Sequence, residues 1–192
     1  WYHNYGYGNL RDYGLADKKA GIEQLVDRHS FIDMKRIGIY GHSGGGFMST
    51  AAMLVYPDFF KVAVSSAGNH ENNVYNSYWS EKHHGIKEVV DDSNRVTFEY
   101  DIAKNSKLAN NLKGHLMLTT GDVDNNVHMA GTLRMAEALI KANKRFDFFL
   151  FHIHVPLSRI ELEAFRLGGE RSILLSYKGI SLNFKYYILR ST

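Results

Sequence analysis

Residues 41–46 read Gly-His-Ser-Gly-Gly-Gly and place a serine among glycines at the spacing G-x-S-x-G. The motif lies between a short apolar run that ends at Tyr40 and an apolar segment at residues 47–55, which favour a buried strand and a helix. A strand that turns directly into a helix strains its turn residue, and glycines on either side let the two elements approach closely. We therefore expect Ser43 to be a nucleophile exposed at the carboxyl end of a sheet, with the Gly44 amide donating to an oxyanion.

The same residues have two other interpretations. G-x-S-x-G alone is a weak motif, and a glycine-rich turn between a strand and a helix need carry no chemistry. A phosphate-binding loop is disfavoured because the motif lacks the lysine that such loops place after their last glycine. The predicted strand before the motif and the predicted helix after it favour the interpretation of Ser43 as a nucleophile over these two alternatives.

A nucleophilic serine needs a base that an acid orients, and in α/β folds with this motif the order along the chain is Ser, Asp, His. Asp122 and Asp124 directly follow a predicted strand at residues 115–120. Their positions in the sequence do not show which of the two would orient the base. Either could instead cap the helix that follows.

The base is expected after the next predicted strand, at residues 146–151, where His152 and His154 stand on one face of an extended segment. The alternative is a polar edge strand with two exposed histidines. Neither this pair nor His83 with His84 has a third ligand at metal-binding spacing, so no metal site is predicted, and no organic cofactor is implied.

The rest of the sequence predicts elements that would position these residues. Helices are predicted at four segments: 16–29, 47–55, 101–113 and 129–143. Strands are predicted at four others: 36–40, 62–67, 115–120 and 146–151. This alternation indicates an α/β fold with a mostly parallel sheet flanked by helices, while residues 68–100 look irregular, polar and aromatic.

Two of the predicted helices have an apolar side at helical spacing. In the first, the side consists of Ile22, Leu25, Val26 and His29. In the last, it consists of Leu133, Ala136 and Ile140. Both segments are therefore predicted to be helices with one apolar face.

Composition excludes several classes of protein. With 192 residues, 44% of them hydrophobic, the chain is long enough for one globular core. It has no cysteine, which excludes disulfide scaffolds and thiol nucleophiles. A net charge of +3 is too small to favour a nucleic-acid partner, and no apolar run approaches the length of a membrane span.

The last 41 residues differ from the rest. Lys and Arg balance Asp and Glu at 17 each over residues 1–151, whereas residues 152–192 hold 6 against 3. This tail also contains an alternating segment at residues 180–186 that predicts a strand outside the preceding α/β pattern. We expect residues 1–151 to form a partial hydrolase domain and residues 152–192 a divergent tail, as a shift of reading frame or a wrongly predicted gene end would produce.

Three segments together resemble one family. They are GIYGHSGGGFMSTAAMLVYPDFFKVAVSSAG, YNSYWSEKHHG and TTGDVDNNVHMAGTLRMAEALIKANKRFDFFLF. In order and spacing they resemble the α/β-hydrolase domain of the prolyl oligopeptidase family, in its dipeptidyl peptidase branch. The resemblance implies a serine peptidase that releases N-terminal dipeptides after Pro- or Ala-like residues.

The resemblance also assigns residues. It implies Ser43 as nucleophile, Asp124 as the acid and Asn126 as a ligand of the substrate backbone. Tyr75 and Trp79 match the aromatic pair that lines the proline pocket, although the family usually has Tyr where Trp79 stands. Tyr75, Tyr78 and Trp79 could alternatively be ordinary aromatic packing under a loop.

The chain departs from the family after residue 151. The family's Arg-His-Gly is replaced, its histidine would fall near Pro156, and His154 is the nearest histidine. The family's β-propeller and the first strands of its sheet have no counterpart here, so we expect the parent protein to carry them. A peptide substrate and a possible homodimer are the partners implied. The alternatives are an acylaminoacyl peptidase or esterase, and an inactive hydrolase-like binding domain.

Overall fold

The computed structural model describes residues 5–152 of the chain. The α-helices of this part are α1 (Leu15–Arg28), α2 (Gly44–Val55), α3 (Ser77–His84) and α4 (Ala130–Lys141). Its strands are β1 (Gly38–His42), β2 (Val62–Ser66), β3 (Lys87–Val90), β4 (Val96–Glu99), β5 (His115–Gly121) and β6 (Asp147–Phe151). Short 3₁₀ helices occupy Met34–Arg36 and Asn105–Asn111.

Four strands form a parallel sheet in the order β1-β2-β5-β6. Each neighbouring pair is joined along the chain by a connection that contains a helix, and the one from β2 to β5 also contains the β3–β4 hairpin. The predicted mostly parallel α/β architecture is confirmed. The parallel register aligns the ends of the strands: His42 pairs with Ser66, and Gly121 pairs with Phe151. The loops that follow β1, β2 and β5 therefore lie along one edge of the sheet, together with His152 directly after β6.

The core lies between the sheet and the helices on it. Helix α2 is its centre, because Ala51, Ala52, Met53 and Leu54 are all fully buried. They pack with strand residues such as Leu116 and Leu118 in a single apolar cluster. A helix buried on all sides next to Ser43 fixes the position of that residue relative to the sheet.

The predicted strand at 36–40 is displaced by two residues. Arg36 belongs to the 3₁₀ helix, where the Asp33 carboxylate accepts the Lys35 amide and caps the turn. Pairing with β2 then continues through His42. The strand therefore runs up to the residue before Ser43.

The interpretation of residues 68–100 as irregular was wrong in part. The segment contains α3, whose N-cap is Asn76, and the antiparallel hairpin β3–β4. In the hairpin turn, the Asp91 carboxylate accepts the amides of Ser93 and Arg95. These elements are short and largely exposed, so they lack the apolar periodicity on which the prediction depended.

Two helix predictions also need correction. Residues 101–113 form only the 3₁₀ helix Asn105–Asn111.

In α4 the buried residues are Thr132, Met135, Ala136 and Leu139, whereas Leu133 and Ile140 are 41% and 60% exposed. The buried side does follow i, i+3, i+4, i+7 spacing, but it begins with a threonine, which a search for apolar residues passes over.

Helix α1 matches its predicted range to within one residue. Its fully buried residue is Leu15, while Ile22 packs at the margin of the core and Leu25 is exposed. Among residues 5–152, no helix has the length and apolar character needed to cross a membrane.

Candidate active site

Ser43 occupies a sharp turn between β1 and α2. Its backbone has φ 56° and ψ −121°, in the positive-φ region that a residue with a side chain rarely adopts. Two hydrogen bonds hold it there: its amide donates to the Ser66 carbonyl at 2.8 Å, and its carbonyl accepts the Phe47 amide at 3.0 Å. The conformation is the strained turn that the motif predicts for a nucleophilic serine.

The glycines of the motif are required by close packing. A Cβ on Gly41 would lie 2.3 Å from the carbonyl carbon and oxygen of Gly45. A Cβ on Gly46 would lie 2.7 Å from the carbonyl oxygen of Ser66. Only glycine at these two positions lets α2 start directly above the end of β1 and β2.

Gly44 is the first residue of α2. Amides in the first turn of a helix have no acceptor within the helix, and the helix dipole adds positive charge there. The Gly44 amide next to Ser43 is thus placed as an oxyanion donor would be.

The two candidate acids have different surroundings. Asp124 is only 5% exposed, and its Oδ1 accepts the amides of Asn126 at 3.0 Å and Val127 at 2.9 Å. Asp122 lies nearer the surface, and its Oδ2 is 2.8 Å from Nδ1 of His152. A backbone hydrogen bond also connects Asp122 to the residue before His152, because the Asp122 amide donates to the Phe151 carbonyl at 2.9 Å.

The structure therefore brings His152 to Asp122. The hydrogen bond and the charge of Asp122 raise the pKa of His152 above its ordinary value, against a small opposing effect of burial. The predicted base, His154, lies outside the described residues. Its pairing with Asp124 stays a prediction.

The aromatic residues lie beside the loop that carries Asp124. The Tyr75 hydroxyl donates to Oδ1 of Asn126 at 3.1 Å. The rings of Tyr75 and Trp79 are 5.6 Å apart and nearly perpendicular, and the ring of Trp79 is 4.6 Å from that of His83. Burial, and secondarily the charge of Asp124, raise the pKa of Tyr75.

Tyr78 differs from these two residues, since it is 80% exposed on α3. Tyr75, Trp79 and Asn126 thus form a half-open aromatic and amide wall, and Tyr78 lies outside it. Such a wall suits a flat apolar ring with a backbone carbonyl next to it.

A family model described as the prolyl oligopeptidase family matches residues 1–154. The chain belongs to the prolyl oligopeptidase family. The serine on its strained turn, the α/β sheet and the order of the motifs all agree with that membership.

Relatives within the prolyl oligopeptidase family are similar to the chain over an aligned segment that covers most of the chain but a small part of each relative. Human dipeptidyl peptidase 8 is 29% identical over 137 residues, which are 71% of this chain and 15% of the relative. Human prolyl endopeptidase FAP is 27% identical over 141 residues, which are 73% of this chain and 18% of the relative. The chain therefore spans less than a fifth of the length of either relative.

A solved member of the family has the same fold. The crystal structure of Porphyromonas gingivalis dipeptidyl peptidase 4 matches with a TM-score of 0.63 and 26% identity. The match covers 76% of this chain and 20% of that one. It confirms the α/β-hydrolase type of fold for the aligned part.

Sequence reasoning missed a buried polar network behind the serine. Asn105 Nδ2 donates to the Phe47 carbonyl at 2.9 Å and to His70 Nδ1 at 3.2 Å. The other nitrogen of His70 faces Ser65 Oγ at 3.4 Å, and that hydroxyl donates to the Gly46 carbonyl at 2.9 Å. The network thus supports two carbonyls in the first turn of α2, the helix that follows Ser43.

This arrangement needs a neutral His70. Because Asn105 donates to Nδ1, the proton of the ring belongs on Nε2, from which it reaches Ser65. Complete burial lowers the pKa of His70 to about 4. Asn105 lies 35 positions from His70 and 58 from Phe47, and the network follows no periodicity, so no local signal could have identified it.

His42, within the Gly-His-Ser motif, makes a contact that the sequence did not predict. Its Nδ1 lies 3.1 Å from Ser66 Oγ. Burial lowers its pKa, and the charge of Asp124 opposes that effect. His42 therefore ties the residue before the serine to β2. Among residues 5–152, no three His, Asp or Glu side chains converge as metal ligands would.

Proposed function

We propose that the site is that of a serine peptidase which releases N-terminal dipeptides after Pro- or Ala-like residues. The observation that carries the proposal is the strained turn at Ser43, held between Ser66 and the first turn of α2. Since the chain spans less than a fifth of its relatives, the activity of the whole parent protein is part of this proposal.

The proposed chemistry is acyl transfer. Ser43 Oγ attacks the scissile carbonyl while a histidine, for which we propose His154, takes its proton. Asp124 orients that histidine, and its two hydrogen bonds from backbone amides hold its carboxylate in place. The Gly44 amide donates to the oxyanion, the histidine protonates the leaving amine, and water then hydrolyses the acyl-enzyme.

The substrate class is proposed from the wall of Tyr75, Trp79 and Asn126. The two rings, 5.6 Å apart and nearly perpendicular, would receive a proline or small apolar side chain. The Asn126 amide would bind the substrate backbone next to that side chain. This specificity also rests on the named relatives, which include dipeptidyl peptidases and a prolyl endopeptidase.

Chain organisation and partners belong to the same proposal. Residues 1–151 would form the partial catalytic domain and residues 152–192 a divergent tail. A homodimer of the parent protein would be tested by light scattering coupled to size-exclusion chromatography.

The experiment that tests the proposal is labelling of the purified chain with a fluorophosphonate probe, followed by mass spectrometry of the adduct. We expect labelling at Ser43 that is abolished in Ser43→Ala and strongly slowed in Asp124→Asn and His154→Ala. His152→Ala is the matched control, because its histidine pairs with Asp122. Loss of labelling in His152→Ala with full labelling in His154→Ala would reverse the assignment of the base.

Substrate class is tested on the same preparation. Dipeptidyl-proline, acyl-alanine and simple ester chromogenic substrates are compared at equal concentration. We expect the dipeptidyl-proline substrate to have the highest kcat/KM. A folded chain that neither reacts with the probe nor cleaves any of the three substrates would instead be a catalytically inactive hydrolase-like domain.

A further inference from the structure

An open groove of about 410 Å³ runs between α4 and the 3₁₀ helix Asn105–Asn111. Its charged lining is Lys104, Lys107, Arg134, Lys141, Glu71 and Glu137. We call it the α4 groove. The catalytic residues proposed above do not line it, and the α4 residues that do belong to the later turns of that helix.

The α4 groove has an excess of positive charge. Lys104 Nζ is 3.1 Å from Glu71 Oε1, and Lys141 Nζ is 2.6 Å from Glu137 Oε1. Lys107 and Arg134 have no carboxylate oxygen within 4.0 Å among the residues that the structure describes, although the charge of Arg134 helps Lys141 to lower the pKa of Glu137. The lining therefore has two cations more than it has carboxylates.

One of the paired cations is held in a fixed position. The Glu71 side chain is only 9% exposed, and Lys104 is the cation that compensates its buried charge. A buried carboxylate is stable only with such a partner, so the ion pair restrains the Lys104 side chain that lines the groove. Lys104 has three N–H donors, and a single ion pair leaves some of them to a ligand.

The donors suit a compact anion. The guanidinium of Arg134 presents a planar fork that matches two oxygens of a phosphate or carboxylate. Lys107 and Ser106 line the groove from the 3₁₀ helix, on the side facing α4. A volume of about 410 Å³ accommodates a molecule of metabolite size, larger than a single inorganic ion.

We propose that the α4 groove binds a small organic anion with at least two negative charges, through Arg134, Lys107 and the Lys104 ammonium that Glu71 holds. The charge would come from a phosphate monoester or from a polycarboxylate, since both present adjacent anionic oxygens. Binding at this place is independent of the chemistry proposed for Ser43 and requires no catalytic activity.

The test is a titration of the ¹⁵N-labelled full chain, followed by amide NMR, with phosphoserine, citrate and sodium chloride at matched ionic strength. We expect saturable shifts of amides at residues 104–107 and 134–141 with at least one of the two anions and none with chloride. Shifts with phosphoserine alone identify a phosphate monoester as the ligand class. Shifts with citrate alone identify a polycarboxylate, and equal binding of both indicates recognition by charge.

Two double variants make the test specific. Lys107→Gln with Arg134→Gln removes the unpaired cations, and Lys35→Gln with Arg95→Gln removes the same charge from exposed positions elsewhere. We expect the first to raise the dissociation constant by about tenfold or more and the second by less than about twofold. Lys104 is left intact, because its loss would bury the Glu71 charge without a partner.

Either of two results would overturn the proposal. One is the absence of saturable shifts in the groove with both anions. The other is equal weakening in the two double variants, which would mean attraction by net charge alone. Melting temperatures of the variants verify that each is folded, and the single substitutions Lys107→Gln and Arg134→Gln should give intermediate affinities.

Discussion

The hydroxyl of Tyr75 donates a hydrogen bond to the side-chain oxygen of Asn126 across 51 positions of sequence, at 3.1 Å. This bond joins the aromatic residues near α3 to the loop after β5, two residues beyond Asp124. The aromatic wall and the acid-bearing loop are thereby coupled through one contact between side chains.

We predict that Tyr75→Phe lowers kcat/KM for a dipeptidyl-proline substrate by about 2- to 12-fold, the equivalent of one hydrogen bond of about 0.5–1.5 kcal/mol. The substitution keeps the aromatic ring, so the change in kcat/KM measures the effect of the hydroxyl and of its hydrogen bond to Asn126. Steady-state kinetics are compared with those of Tyr78→Phe, whose side chain lies in solvent. An equal loss in both variants would contradict the role of the Tyr75–Asn126 bond.

The glycines at the turn give a prediction about stability. Gly41→Ala should lower the free energy of unfolding by at least about 3 kcal/mol, because the new methyl group meets the Gly45 backbone at 2.3 Å. Gly21→Ala is the control. It lies in α1 with no atom within 4 Å of the added carbon, so it should stabilise by about 0.5–1 kcal/mol. Urea unfolding followed by circular dichroism measures both.

His70 predicts how stability depends on pH. Its pKa falls from 6.5 to about 4 in the folded state, so between these values the unfolded chain binds more protons than the folded one. The contribution of His70 to the free energy of unfolding is therefore fully present above pH 6.5 and is lost as the pH falls toward 4. The total loss is about 3 kcal/mol. Urea unfolding at several pH values should show a shallower decline for His70→Gln. Parallel curves for the two proteins would rule out His70 as the source.

The contact between Asp122 and His152 is open to direct titration. The raised pKa of His152 depends first on its hydrogen bond with Asp122. Asp122→Asn should therefore return the pKa of His152 toward 6.5, whereas Asp124→Asn should leave it unchanged. Histidine proton NMR over a range of about pH 5 to pH 9 resolves the two cases. A shift in Asp124→Asn alone would mean that His152 belongs with Asp124.

The orientation of α4 is tested by a pair of neighbouring residues. Leu139→Ala should cost about 2–5 kcal/mol of unfolding free energy, because its side chain is fully buried in the core. Ile140→Ala, on the exposed side, should change it by less than about 0.5 kcal/mol. Thermal and urea unfolding provide both values. A larger loss for Ile140→Ala than for Leu139→Ala would mean that the buried side of α4 is the one that apolar spacing indicated.

Local sequence determined the strand, the turn at Ser43 and the helix after it. The close approach of β1 and α2 requires glycine at positions 41 and 46, so one short segment of the sequence already shows this steric requirement. The alternation of apolar segments likewise determined the parallel sheet, since a crossover of a dozen or more residues returns the chain in the same direction. Such constraints come from neighbouring residues and from the apolar pattern along the chain, so they can be recognised in the sequence.

Tertiary structure alone decided which distant side chains meet. Asp122 and Asp124 are equivalent by position, yet one reaches His152 at the surface while the other is buried among backbone amides. The network of Ser65, His70 and Asn105 under α2, and the buried side of α4 that begins at Thr132, are decided in the same way. Polar contacts depend on angstrom-scale geometry between elements that are remote in sequence, and no periodic pattern along the chain encodes them.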